Sequence, residues 1–572
     1  MSADRELNFT DLSTQEARLF DNIIDEIKAE YHDLVDSIRQ KTDHSIFWQV
    51  NNLLSRNNYV SDLFYNLCCL AMVQNVEQTR PLDKVIVKSD ALKIILVQYF
   101  SAQKKDITVE SSATLSIRIK RILKPFYDIV RNLHWAMVYL WCKQGRRQRK
   151  IPRDVPITLL DTFFSTYIFK SGKFKERYYT GLDQVLSPRE RRLIYFVPNV
   201  ITWRKLSHII QLSEEADENF LYPFDFLKIQ DYLFALSAPL QIRRINLNRF
   251  EFRGVNIAPI LKSDFRHRIA LRTSFRGILF YRFFKRLKEE NIKLKLVVDW
   301  FENQVVDRGF NRGKNKFFPQ TPSIGYQGLI GAYKWNFHLQ PTKAEADAGV
   351  LPHKIAVIGS GLTGIVKENH PDLKVFVASG FRFTDIHEKK IKPLGQFHTD
   401  RPTILVALPI WVEDSLDILR MMVAVKDQIV GYNPKVLIKP HPSLDFDRVL
   451  EMLGSWPEVF SIAGGNFPDL IEYTDLLISS GSTVCMESIA YGVPVIVVGS
   501  RLNVTKNIIP LRIPRTIWAL CFEEKELLAE TVRLCFHPGK EDRALFSKIA
   551  AQVRSEFFKP VYRKDIETLF RL

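Results

Sequence analysis

Three stretches of this 572-residue chain gather groups that can hold an anion or move a proton. "LIKPHPS" places Lys439, His441, Pro442 and Ser443 after an apolar run, and "ISSGST" ends another run in Ser479, Ser480, Gly481, Ser482 and Thr483. Ammonium, imidazole and hydroxyls together suit a phosphate, while Glu487, one helical turn beyond Thr483, can accept hydrogen bonds from ribose hydroxyls. "VVDWFENQVVD" runs from Asp299 into Glu302, a carboxylate placed to act as a general base, with Asp299 and Asp307 as substitutes. Ser and Thr also open helices as ordinary caps, and Glu302 could merely favour a helix dipole. The three stretches carry chemistry only if the fold brings them to one place.

Alternating strand and helix signals supply that fold. "PTILVALPI", "KVLIKPHP", "VFSIAGGN", "DLLISSG" and "VPVIVVGS" each precede or follow a helical pattern, which predicts a doubly wound parallel sheet over residues 400 to 535. "RLIYFVPNV", "LKLVVDWF", "SIGYQG", "KIAVIG" and "KVFVASG" predict a second such sheet within residues 84 to 385, to which "KVIVKSDALKIILVQYF" and "DITVES" are also assigned. The expected class is therefore α/β, two Rossmann-like domains facing a cleft, with ligands beyond the carboxyl ends of the strands. Residues 1 to 80 read as a helical region without legible chemistry, and residues 540 to 572 as a C-terminal helix.

Charge adds a second theme. Between residues 113 and 153 eleven Lys or Arg stand against one acid, Asp128, giving +10 of the net +17. The apolar part, "LHWAMVYLWC", is ten residues long and too short to span a bilayer. Trp135, Tyr139 and Trp141 beside Arg146, Arg147, Arg149 and Lys150 suit an interfacial helix on anionic lipid. A buried helix with a solvated basic end is the plain alternative, and no nucleic-acid motif accompanies the patch, so no nucleic-acid partner is expected. Six cysteines without ligand or disulfide spacing, and a polar start with no signal, predict a cytoplasmic protein, peripheral on the inner face of the membrane.

Two motifs are weighed down by context. Gly359, Gly361 and Gly364 have dinucleotide-fingerprint spacing, but the next strand ends in Ser379 rather than an acid. Gly359 and Gly361 are expected instead to form a phosphate loop in the cleft. Asp445 to Asp447, "DFD", opens a predicted helix without partner ligands, so no metal and no cofactor is expected.

"KPHPS" followed by "TDLLISSGSTVCMESIAYGVPVIVV" resembles the carboxyl-terminal domain of bacterial GT-B glycosyltransferases of surface and capsular polysaccharide biosynthesis. The likeness is strongest to CMP-sugar-using enzymes, the polysialyltransferases and Kdo transferases. "WFENQ", "SIGYQG" and "GFRF" look like a broader group of surface carbohydrate proteins. The resemblance implies metal-independent transfer of a sugar, such as Kdo, sialic or another nonulosonic acid, from a nucleotide donor to a polysaccharide or lipid-linked glycan. It also implies that His441 and Pro442 hold the cytidylate, Ser480, Ser482 and Thr483 its phosphate, Glu487 its ribose, and that Glu302 is the base. A sugar-nucleotide epimerase, a CDP-polyol phosphotransferase and a noncatalytic assembly protein share parts of this pattern and remain open alternatives.

Overall fold

The computed structural model describes residues 5–42, 44–144, 151–164, 169–170, 173–174, 176, 178–180, 182–200, 206–242, 246–391 and 401–570. Two parallel sheets dominate it. The first has seven strands, in the order Val375–Val377, Lys354–Val357, Ser323–Gln327, Leu294–Trp300, Ile157–Phe164, Ile194–Val200 and Asn219–Phe220. The second has six: Phe460–Ile462, Lys435–Pro440, Thr403–Leu408, Leu476–Ser479, Val495–Val498 and Trp518–Cys521. Central strands such as Val495–Val498, "VIVV", are buried along their whole length, as a parallel strand covered on both faces requires. This is the expected α/β class with two Rossmann-like domains.

Each sheet winds outward in both directions from one point where the strand order reverses. In the first sheet the reversal lies between Ile157–Phe164 and Leu294–Trp300; in the second it lies between Thr403–Leu408 and Leu476–Ser479. Loops leaving the carboxyl ends of such a pair diverge to opposite faces and open a crevice. Glu302 follows the first reversal by two residues, and Ser480 to Thr483 follow the second directly.

The N-terminal region departs from expectation. Lys84–Val87 and Thr108–Ser111 belong to a separate three-stranded parallel sheet, whose third member is Glu6–Asn8. A strand–helix–strand unit looks the same in sequence whichever sheet it joins, and its partner, "ELN", carries no apolar run. Beside this sheet lies the helix Thr14–Gln40, opened by a Ser13–Glu16 capping box and buried through Phe20, Ile23, Ile24, Ile27 and Tyr31. This layer touches both domains. Arg56 donates to the Gln340 carbonyl at 3.0 Å in the first, and Arg501 of the second donates to the Leu12 carbonyl at 2.8 Å.

The C-terminal segment holds two helices, Lys540–Phe557 and Arg563–Phe570. Between them the chain returns to the first domain, where Lys559 N–H donates to the Ile358 carbonyl at 2.7 Å. A Cβ on Gly359 would lie 2.2 Å from the Glu556 carbonyl oxygen, and one on Gly361 would lie 2.2 Å from an Arg512 nitrogen. These glycines admit the returning helix. The backbone of Glu556 and Phe557 therefore gives Gly359 a packing reason to be a glycine, and the Arg512 guanidinium lies beside Gly361. All six cysteines are buried, and no disulfide forms among the described residues.

Candidate functional site

In the second domain the expected anion groups follow the carboxyl ends of two strands of one sheet, Lys435–Pro440 and Leu476–Ser479, with Thr403–Leu408 between them. His441 N–H donates to the Leu408 carbonyl at 3.1 Å, tying the end of one strand to that of its neighbour. Ser443 N–H donates to His441 Nδ1 at 3.1 Å, so the Nδ1 lone pair is used and a neutral ring carries its proton on Nε2. His441, Pro442 and Ser443 are exposed, and Lys439 reaches the Gly465 carbonyl at 2.5 Å. Ser479 is structural: it is buried and donates to the Ala407 carbonyl at 2.7 Å. The Ser480, Ser482 and Thr483 hydroxyls have no hydrogen-bond partner among the described residues. Thr483 therefore stands at the start of the helix Val484–Ala490 without capping it, and the helix-cap reading of this turn loses its main support.

Gly481 makes the turn possible. Its φ of +58° is one that side-chain-bearing residues rarely adopt, and a Cβ there would lie 2.7 Å from the Lys506 Cβ. The hydroxyl turn thus backs directly onto Lys506, whose ammonium is buried against Asp414 at 2.5 Å. Glu487 lies half-buried within the same short helix, and its charge adds to burial in pushing the Tyr491 hydroxyl upward in pKa.

In the first domain Glu302 is half-buried and held from both sides. Trp300 Nε1 donates to one carboxylate oxygen at 2.9 Å and Gln304 Nε2 to the other at 2.6 Å. Each oxygen keeps a further lone pair that can accept a proton. Asp299 and Asp307 are unsuited as substitutes, which corrects that expectation. Asp307 is buried and accepts the Glu302 and Gln304 amides at 3.0 Å, so it is the cap that shapes the turn. Asp299 is buried beside Asp161 of the neighbouring strand, and burial, then the neighbour's charge, raises it far above the carboxylate range. Burial, then the charge of Asp307, raises Asp161 in the same direction, so neither carboxyl of this buried pair suits the role of a cleft-facing base.

Beside Lys506 lies a cavity of about 280 Å³ that sequence reasoning missed. Tyr59 of the N-terminal layer stacks on Trp411 of the second domain, with centroids 5.3 Å apart and planes 13° from parallel. Trp335 of the first domain meets Tyr59 edge-on at 6.2 Å. The Lys506 ammonium sits 5.5 Å from both indole centroids. Burial, assisted by the charges of Asp414 and Glu302, pushes the Tyr59 hydroxyl up to about 12 despite its hydrogen bond to Asn336. The only advance signal was a tryptophan after each strand end, at 335 and 411.

The basic segment forms one helix, Leu115–Gln144. Its buried side carries Asp128, Asn132, Trp135 and Tyr139; its solvent side exposes twelve large apolar side chains, including Leu115, Ile122, Phe126 and Val130 at 66–73%. The expected interfacial aromatics are corrected accordingly. Trp135 is buried under Arg272, and Tyr139 stacks on Phe224 at 5.4 Å, leaving Trp141 exposed. Arg146, Arg147, Arg149 and Lys150 lie outside the described residues. Among the described residues, no helix is long and apolar enough to cross a membrane.

No protein-family model matches the chain, and no curated protein matches it. Solved structures resemble it weakly. The UDP-GlcNAc 2-epimerase of Neisseria meningitidis bound to UDP-GlcNAc is 12% identical, over 73% of this chain and 99% of that one, with a TM-score of 0.38. MurG of Acinetobacter baumannii is 10% identical over 73% and 99%, TM-score 0.35. The wall teichoic acid polymerase TagF is 10% identical over 78% and 96%, TM-score 0.34.

Proposed function

We propose that this chain is a glycosyltransferase that moves a sugar from a nucleotide donor to a glycan at a membrane surface. The supporting observation is the placement of the unpartnered Ser480, Ser482 and Thr483 hydroxyls at one reversal point, with His441 at the end of the next strand but one of the same sheet and Glu302 at the other reversal point. In this reading the donor phosphate lies against the hydroxyl turn, and Lys439 and His441 balance its charge. Preorganised donors at a leaving phosphate stabilise the charge that develops on it, typically by several kcal/mol. Glu302 takes the proton of the acceptor hydroxyl. The finer reading, a CMP-linked acidic sugar such as Kdo or sialic acid, rests on the "KPHPS" and "SGST" motifs.

Calorimetry with CMP, UDP and CDP tests it. One of these nucleotides is expected to bind. Thr483→Ala together with Ser482→Ala should weaken it about tenfold or more, and His441→Ala should do likewise, since lost hydrogen bonds to a charged group cost about 1.5–3 kcal/mol. Preference for UDP would overturn the CMP reading, and absence of all binding would overturn the enzyme. Conversion of a donor to its epimer without acceptor would assign an epimerase instead.

The outward apolar face of Leu115–Gln144 supports the membrane surface as the working location. Twelve large side chains in water form a patch that monomers rarely expose, and each gains about 1.5–3 kcal/mol when buried. Lys120, exposed on the same helix, suits an anionic headgroup. The chain should sediment with phosphatidylglycerol vesicles, and Ile122→Glu with Phe126→Glu should release it; retention by the double variant would reject this face.

A further inference from the structure

The cavity beside Lys506 is walled by three parts of the chain that are far apart in sequence, and its composition indicates what it holds. We propose that the space bounded by Tyr59, Trp335 and Trp411 binds a neutral pyranose ring, the terminal sugar of the acceptor. The word acceptor rests on the glycosyltransferase reading above; binding of a sugar ring does not.

Flat aromatic faces next to hydrogen-bonding groups match a pyranose, which presents C–H groups on its faces and hydroxyls around its edge. Tyr59 is 38% exposed, so its ring offers area beyond the stack with Trp411. Asn58 Oδ1, Asn66 Oδ1 and Trp335 Nε1 belong to the lining residues, are buried, and have no hydrogen-bond partner. Buried polar atoms are normally satisfied, so three orphans around one cavity point to a partner that brings its own hydroxyls.

Two of the three cations of the wall are already engaged: Lys506 is paired with Asp414, and the Lys88 ammonium donates to the Leu502 carbonyl. The third, Arg121, shares the wall with the Asp62 and Glu413 carboxylates, which disfavour an anion. A phosphate on Lys506 or Lys88 would have to break their contacts, whereas a sugar can use the rings and the amides.

Position then connects the ring to the chemistry. Lys506 separates the cavity from the hydroxyl turn by one side chain, since Gly481 packs on it. On the other side Trp335 and Asn336 come from the first domain, whose Asn303 donates to the neighbouring His338 carbonyl at 2.9 Å, one residue after Glu302. A sugar between them lies near the candidate phosphate site and the candidate base. The N-terminal layer thereby gains a role: it supplies Tyr59 and Asn58, and Asn58 Nδ2 holds the Trp335 carbonyl at 2.8 Å.

Saturation-transfer NMR on the full chain tests this with methyl glycosides of glucose, galactose, N-acetylglucosamine and N-acetylneuraminic acid, while calorimetry follows nucleotide binding in parallel. At least one neutral glycoside should receive saturation, and Trp411→Ala should weaken it tenfold or more, with nucleotide affinity changed less than twofold. Tyr59→Leu, on a different part of the chain, should show the same loss, so that misfolding of one variant cannot account for it. Inorganic phosphate should not displace the glycoside. The inference falls if no neutral glycoside binds, if binding survives both substitutions, or if phosphate competes. Nucleotide binding without glycoside binding would refute this site alone; glycoside binding without nucleotide binding would refute the proposed function and keep the site.

Discussion

Glu302→Gln should leave nucleotide affinity within about twofold of wild type and lower kcat by about 10²–10⁴, the range for removal of a positioned general base. The substitution preserves shape but removes the proton acceptor. It also replaces one carboxylate oxygen by an amide nitrogen that must face a donor, from either Trp300 or Gln304. That mismatch costs about 1 kcal/mol and is local, because the Asp307 cap shapes the turn through backbone amides that the variant retains. Two readouts separate a base from a merely structural residue. The rising limb of the pH–rate profile should vanish, and added formate should restore part of the rate. A kcat loss below tenfold, or a profile that keeps its limb, would remove Glu302 from the mechanism.

Much of the frame behind this prediction was legible, and the reasons differ between strands and site. Apolar runs of four to eight residues bounded by turn residues located five strands of the second sheet and five of the first, because a strand buried on both faces has no choice but to be apolar. Ile157–Phe164 escaped notice although it lies at the centre of the first sheet. "ITLLDTFF" contains Asp161, a carboxyl that interrupts the apolar run, and its burial beside Asp299, which raises its pKa, is not visible in the local pattern. The misplaced strands Lys84–Val87 and Thr108–Ser111 failed for another reason. Local pattern specifies that a parallel unit forms, but which sheet receives it is decided by a long-range partner, here three residues near the N-terminus.

The same division holds for the site. His441, Ser480 to Thr483 and Glu302 follow strands directly, so a strand pattern carries them to the carboxyl edge. Tyr59, Trp335 and Trp411 could not be grouped beforehand, since each comes from a different layer and no spacing relates them. The basic helix Leu115–Gln144 was half legible. Its charge and aromatic content were plain, but which aromatics face outward depends on helix phase against Phe224 and Arg272, and that phase turned Trp135 and Tyr139 inward.

Glu345→Gln should loosen the N-terminal layer by about 3–5 kcal/mol, the usual cost of removing one partner from a buried ionic cluster. Glu345 is fully buried and faces three guanidinium groups. Arg308 donates to one of its oxygens and Arg56 to the other at 2.6 Å, while Arg39 stands at 3.6 Å. The three cations hold its carboxyl far below the ordinary glutamate value of 4.5 although burial alone would raise it. A depressed carboxyl pKa stabilises the fold above the unfolded value, and that contribution drains as pH falls below about 4.5. The glutamine variant should therefore be weaker at pH 7 and lack this part of the acid dependence. Burial lowers the Arg308 pKa to about 9 even with Glu345 present to oppose it, so loss of the anion leaves uncompensated charge that must be hydrated or released. A chain of several domains need not unfold in one step, so the readout is local: amide exchange in Thr14–Gln40 and in residues 52–58 should quicken by about 10²–10³ while Val495–Val498 is unchanged. Equal exchange in the variant would show that the cluster does not bind the layer. Catalysis should suffer as well. Glu345 accepts from Asn303 Nδ2 at 3.1 Å, and Asn303 holds a φ of 53° immediately after Glu302, so the carboxylate that fastens Arg39 and Arg56 to the first domain also fixes the turn that carries Glu302, the proposed base.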